Sequence, residues 1–170
     1  MKLRTHYIFS AGLISLVLSL IFRINFLDNI TISLLVSILG NTVIDRLGHR
    51  EITTRFGEIP VRTPLTHTIP RSVAWGLVST LPLLAILLYL THYYYLQWYT
   101  TFFISILISG ILVGPSHMLL DAFTEKGIYV KKNGKWRRFA LAHFRYDSPL
   151  VNGLAILVGA IMLYLSYVIL

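Results

Sequence analysis

A histidine and an aspartate close one of the long apolar runs in this chain. The stretch Gly114-Pro-Ser-His117-Met-Leu-Leu-Asp121-Ala-Phe-Thr124-Glu-Lys-Gly127 ends the run at 99–120. Leucine, isoleucine, valine and phenylalanine fill such a run unaided. Ionisable groups at membrane depth are costly, and they mark function more often than packing. His117 and Asp121 stand at i and i+4, so on a helix they share one face. Imidazole and carboxylate are both ligands for first-row metals. Two further stretches offer the same chemistry: Asp45-Arg-Leu-Gly-His49, again at i and i+4, and Thr66-His67-Thr68 just before Pro70. Brought to one place, these groups make a metal site embedded in a membrane protein. Each has a plainer reading. Asp121 faces water while a neighbour satisfies His117; Gly48 stops a solvated helix end at Asp45 and His49; Thr66 or Thr68 caps the next helix. The last reading is compatible with ligation, because a capped start holds the His67 ring in place.

Other residues extend the set. His6 follows the basic start Met1-Lys-Leu-Arg4 and is either a further ligand or simple interface polarity. His143, in Ala140-Leu-Ala-His143-Phe-Arg-Tyr-Asp147, is read as a surface residue ahead of an extra ligand or proton shuttle. Arg62 is a candidate anion clamp, since a guanidinium matches phosphate geometry bidentately. Its plain reading is contact with lipid headgroups or water. The run Lys131-Lys132…Lys135…Arg137-Arg138 is read as a headgroup-facing patch. It lacks any motif for reading bases, so no sequence-specific nucleic-acid binding is expected. The chain has no cysteine, which excludes disulfides and thiolate zinc sites. A divalent metal held by His and Asp is then expected, zinc first, with manganese or iron as alternatives. Such a metal supplies hydroxide near neutral pH, and a second one binds if Asp45 or Asp121 bridges. Asp121, Asp45 and Arg62 are the candidate catalytic residues. Phosphoester hydrolysis is the natural reaction, with a lipid-like substrate favoured by a site at headgroup level.

The elements that must position these groups read as membrane helices. The chain is 55% hydrophobic with a mean hydropathy of +0.69, too apolar for an ordinary soluble domain. The expected fold class is an all-α integral membrane protein. Residues 1–170 form one domain, a bundle of about five transmembrane helices near 7–27, 28–44, 73–91, 99–120 and 149–170. Polar cytoplasmic regions fill 45–72 and 121–148, and an aromatic connection at 91–99 sits at the interface. Asn133-Gly134 between two β-leaning stretches predicts a small cytoplasmic hairpin over 128–139. The basic, apolar start also describes a signal peptide, but no small-x-small cleavage site follows, so a retained anchor is expected. Every Lys and Arg except Arg23 falls on one side of such a bundle. The N-terminus is therefore expected in the cytoplasm and the C-terminus outside. This topology gathers His6, His49, His67, His117, His143, Asp45, Asp121 and Asp147 on the inner side and leaves His92 and Asp28 outside.

At these residues the chain resembles the YdjM-like family of inner-membrane, metal-dependent hydrolases, and more closely an archaeal branch of it. The resemblance covers most of the chain. It rests on Thr5-His6, on Gly40-Asn-Thr-Val-Ile-Asp45 with His49, on Arg62-Thr-Pro-Leu-Thr66-His67-Thr68, and on Gly114 to Gly127. The His117-x-x-x-Asp121 element, followed by Thr124 and Gly127, is its most specific part. That family is itself distantly similar to the zinc-dependent phospholipase C and single-strand nuclease superfamily, which binds several zinc ions in a helical bundle. The resemblance implies metal ligation by His6, Asp45, His49, His67, His117 and Asp121. The chain departs from the family in two places. Pro-Asp-x-Asp-His becomes Val43-Ile-Asp45-Arg-Leu-Gly-His49, with one carboxylate fewer, and His-Arg-Gly becomes Val61-Arg62-Thr63. The expected function is a membrane-embedded, metal-dependent hydrolase acting on a phosphoester or lipid at the cytoplasmic interface. The alternatives are a non-catalytic membrane scaffold or remodelling protein with a structural or degenerate metal site, and, ranked below it, a small cation transporter. Polar groups gathered at one face, without an inverted repeat, argue against transport. The oligomeric state is left open.

Overall fold

The structure is a computed structural model that describes residues 1–54, 57–94 and 99–170. Its elements run α1 (Leu3–Ile21), α2 (Phe26–Gly48), β1 (His49–Thr54), β2 (Gly57–Arg62), α3 (Ile69–Tyr94), α4 (Tyr99–Ala122), β3 (Ile128–Lys132), β4 (Lys135–Phe139) and α5 (Pro149–Ile169). The molecule is mostly helical, and all five helices are long and apolar enough to cross a membrane. The boundaries differ from expectation where capping decides them. α1 begins at Leu3, so His6 is helical, and it stops at Ile21 instead of continuing toward residue 27. Asn25 makes the break: its side chain accepts from the Asp28 backbone N–H at 2.9 Å and so caps α2. α2 then runs past residue 44 to Gly48, which places Asp45 inside the helix. At α5, Ser148 is the N-cap and Pro149 takes the first helical position. Of the aromatic connection expected at 91–99, residues 95–98 lie outside the described residues.

The expected hairpin is present as β3 and β4, paired antiparallel from Ile128 opposite Phe139 to Lys132 opposite Lys135. Asn133 and Gly134 both have positive φ, 51° and 76°, as a two-residue turn of this hand requires. A second hairpin was not expected. β1 and β2 pair with His49 opposite Arg62 and Ile52 opposite Ile59. The polar region 45–72 is therefore partly a sheet.

α1 packs on α5 and α2, and α4 packs on α3, α2 and α1. A central apolar cluster includes Ile14, Leu18, Ile32, Val36, Leu84 and Val113. Small and polar side chains make many of the close contacts. A Cβ at Gly12 would meet the Gly159 carbonyl, and one at Gly159 would stand 2.7 Å from the Ile8 carbonyl oxygen. Ser10 and Ser116 hydroxyls pair at 2.6 Å, and those of Ser15 and Ser166 at 2.7 Å. Small residues that let backbones approach, joined by interhelical hydrogen bonds, are how helices associate where no hydrophobic force acts between them. Large apolar side chains point outward instead: Leu150, Leu154, Leu157, Ile161 and Leu165 on α5 are all exposed.

Candidate metal centre

Four elements converge at one end of the bundle. α1 supplies His6, the segment before α3 supplies His67, and α4 supplies His117 and Asp121, while β2 ends on Arg62. Asp121 lies at the middle of the group. Its Oδ1 accepts from Arg62 Nη2 at 2.6 Å and from the Met1 amino group at 3.0 Å, and stands 3.3 Å from His6 Nε2. Its Oδ2 is 3.3 Å from His117 Nε2 and 3.5 Å from His67 Nε2. The His6 and His117 rings stack with centroids 3.9 Å apart. His6, His67, His117 and Asp121 are all buried.

The hydrogen bonds behind these rings fix where their protons sit. Asn41 Nδ2 donates to the Ser37 carbonyl at 2.8 Å, which turns Asn41 Oδ1 toward His117. His117 Nδ1 therefore donates to that oxygen at 2.8 Å, and its Nε2 carries a lone pair. Thr66 Oγ1 donates to the Ile44 carbonyl at 2.7 Å, so the same oxygen accepts from His67 Nδ1 at 3.0 Å. His67 Nε2 carries a lone pair as well. Both lone pairs face Asp121 Oδ2, itself an acceptor. These three atoms are buried without a hydrogen-bond partner among the described residues. Acceptor facing acceptor in a buried site costs free energy unless a cation lies between them. The spacing suits one: donors about 2.1 Å from a tetrahedral zinc ion stand about 3.4 Å apart. On donor chemistry and spacing, a divalent cation fits.

A second ligand-capable group adjoins the first. Ligand atoms of Asp45, His49 and His67 lie within 4.8 Å of one another, as do those of His6, His117 and Asp121. His49 Nδ1 donates to the Asp45 backbone carbonyl at 2.6 Å, leaving its Nε2 as an acceptor. Pairing across β1 and β2 holds His49 opposite Arg62. The two groups differ in access. The Asp45 and His49 side chains are 32% and 25% exposed, against 2% or less for His6, His117 and Asp121. Asp45 and His49 line a cleft of about 550 Å³ that Arg62 also borders. Burial pushes the His67 imidazole down to about 2, and repulsion from His117 and Arg62 adds to this against the pull of Asp121. A neutral imidazole is the form that ligates metal.

All six candidate ligands thus fall in two adjoining groups. Arg62 is also there, but as the counter-ion of Asp121, and its Nη1 donates to Thr124 Oγ1 at 3.1 Å and to the Gly127 carbonyl at 3.0 Å. The capping role considered for Thr66 and Thr68 is not seen. The Thr66 hydroxyl bonds α2, and Thr68 Oγ1 has no hydrogen-bond partner among the described residues. His143 is exposed and belongs to neither group. Sequence reasoning missed Asn41, which orients His117. The signal was a stripe at steps of four along α2, Asn29, Ser33, Ser37, Asn41 and Asp45, leading into the site.

The architecture is that of a helical bundle with long apolar helices and a His/Asp centre at one end. Residues 1–120 match the profile of the family described as protein of unknown function (DUF1286), and the chain belongs to that family. The matched region holds every residue discussed above up to His117 and stops one residue before Asp121. No curated protein matches the chain. No solved structure matches it either.

Proposed function

We propose that this protein is an integral membrane, metal-dependent hydrolase whose site opens at the cytoplasmic interface toward a phosphoester, lipid-like substrates included. The observation that carries this reading is that the buried, unpartnered His67 Nε2 and His117 Nε2 both face Asp121 Oδ2 beside a second, accessible Asp/His pair. Five long apolar helices support the membrane location. Among the described residues, the placement of every Lys and Arg but Arg23 at the site end supports a cytoplasmic N-terminus. The resemblance to YdjM-like hydrolases supports the reaction class.

A bound divalent metal, zinc first, lowers the pKa of water and polarises a phosphoryl oxygen. The chain divides the remaining work by burial. His67, His117 and Asp121 Oδ2 would hold a cation out of solvent, with His6 stacked on His117, and Arg62 balances the Asp121 charge at Oδ1. Asp45 and His49 face the cleft, where a substrate can reach. In hydrolysis the water oxygen bonds to phosphorus, the ester P–O bond breaks, and the departing oxygen takes up a proton. Asp45, the accessible carboxylate, receives the proton that the water loses.

The test is metal content and phosphodiester hydrolysis of the detergent-purified protein beside Asp121→Ala. The expected result is bound metal and turnover in the parent chain, and loss of both in the variant with membrane insertion retained. Little or no metal in either protein after soaking with zinc would overturn the reading. Metal without turnover would favour the scaffold reading, for which the complete burial of His117 and Asp121 is the supporting observation.

A further inference from the structure

Arg62 was the anion clamp that the sequence suggested, and in the structure its guanidinium meets Asp121. The cleft beside it carries other cations. Lys2, at the start of α1, and Lys126, beyond the end of α4, border the same cleft of about 550 Å³ as Asp45, His49, Arg62 and Tyr146. Lys2 and Lys126 are partly buried, whereas Lys131, Lys132, Lys135, Arg137 and Arg138 on the β3–β4 hairpin are all exposed. Lys126 Nζ stands 5.9 Å from the centre of the Tyr146 ring, a cation–π distance that gives its long stem a preferred course. Two lysines far apart in sequence thus converge on the one concave surface that also presents the accessible ligand pair. Among the described residues, the side chains of Lys2, Arg62 and Lys126 border it together with the Asp45 carboxylate.

We propose that Lys2 and Lys126 form an anion subsite that takes a phosphate group and holds it against Asp45 and His49. This deepens the function proposed above and rests on it for the chemistry at Asp45 and His49, but the binding claim stands separately. Lysine binds phosphate as a compact charge with rotatable donors and needs no bidentate geometry. The cleft has room for a phosphate group with a substituent, and the Tyr146 ring borders the space the substituent would enter. The anion comes from either of two sources of the same chemistry, a free phosphate or a lipid phosphomonoester headgroup.

The experiment is phosphorus NMR titration of inorganic phosphate into the full chain in detergent. The parent is compared with Lys2→Gln/Lys126→Gln, with Lys2→Arg/Lys126→Arg and with Lys131→Gln/Lys132→Gln, and metal content is measured on each sample. The expected result is phosphate binding that weakens at least ten-fold in the first variant, recovers in the arginine variant and is unchanged in the hairpin variant. Metal content stays constant throughout. Absence of phosphate binding to the parent, equal binding by the first variant, or a loss confined to the hairpin variant would overturn the subsite. Lysine-dependent phosphate binding by protein that holds no metal would leave the subsite standing and sink the hydrolase reading. Dihexanoyl phosphatidate separates the sources: ten-fold tighter binding than inorganic phosphate assigns a lipid headgroup, and equal binding assigns the free anion.

Discussion

Asp121 meets a cation or an imidazole at both oxygens, so the centre is held by residues outside the candidate ligand set as much as by those within it. Asn41 is the clearest case. Its Oδ1 accepts a hydrogen bond from His117 Nδ1 and so leaves the lone pair on Nε2, which faces Asp121. Asn41→Leu keeps a side chain of similar size and removes that acceptor. Metal affinity is expected to fall about 10- to 100-fold with insertion unchanged, the usual cost of losing a hydrogen bond behind a metal ligand. Competition with a fluorescent zinc chelator measures it, and an unchanged affinity would mean that Asn41 is only packing. The His67 ring sets a pH dependence. Its folded value of about 2 lies below the ordinary 6.5, so an unfolded chain takes up the proton first. Its contribution to stability is therefore complete above about pH 6.5 and is lost progressively as the pH falls toward 2. Metal-free protein is expected to melt at lower temperature at pH 5 than at pH 7.5, and His67→Gln should flatten that difference. At this scale the sequence was readable where chemistry is carried by residue type: the i, i+4 pairs and the isolated His6 and His67 do meet, while His143 stays apart. It was unreadable for Asn41, whose amide ligates nothing, and for Arg62, because composition cannot say which anion a guanidinium meets.

Between residues and fold, the local question is how α2 delivers Asp45 and His49 to a cluster built on other elements. The helix ends at Gly48, where the chain passes against Thr66 and the His67 ring. A Cβ on Gly48 would run into Thr66 Oγ1 and the ring atoms of His67. Gly48→Ala must therefore displace the segment that carries His67. The expected outcome is a loss of metal at unchanged helix content, read by metal analysis beside far-ultraviolet circular dichroism. Full metal occupancy would show that the segment yields without moving the ring. Hairpins anchor the same region from both sides. Tyr129 on β3 donates its backbone N–H to the His67 carbonyl at 2.8 Å and its hydroxyl to the Arg62 carbonyl at 2.9 Å. The β3–β4 hairpin was legible because Asn133-Gly134 supplies the positive φ its turn demands. The β1–β2 hairpin was not, since Asn-Gly is absent from its span and Pro60 stands inside one of its apolar stretches, which reads against a strand. The helices themselves were visible as apolar runs, and their ends moved by several residues wherever a cap, and not hydropathy, sets the boundary.

At the scale of the whole molecule, the chain separates its charge from its apolar surface along the bundle. Among the described residues, the end that gathers His6, Asp45, His67, His117 and Asp121 also carries every Lys and Arg but Arg23, while α5 exposes leucine and isoleucine along its flank. In a bilayer this arrangement stabilises the orientation with the basic end on the cytoplasmic side. The absence of cysteine makes that orientation directly testable, because any introduced thiol is the sole reporter. Lys135→Cys marks the β3–β4 hairpin at the site end, and Arg23→Cys marks the α1–α2 connection at the other. An impermeant maleimide added to intact cells is expected to label Arg23→Cys and to leave Lys135→Cys unlabelled until the membrane is opened. The opposite pattern would turn the cleft of Asp45 and His49 away from the cytoplasm. A substrate reaching Asp45 there would then come only from the outer leaflet or the exterior, and the proposed reaction would keep its chemistry but change its compartment. Labelling of both positions in intact cells would be more damaging. It would mean that the helices do not span, and that the small-residue contacts of α1 with α5 need another explanation than association in lipid.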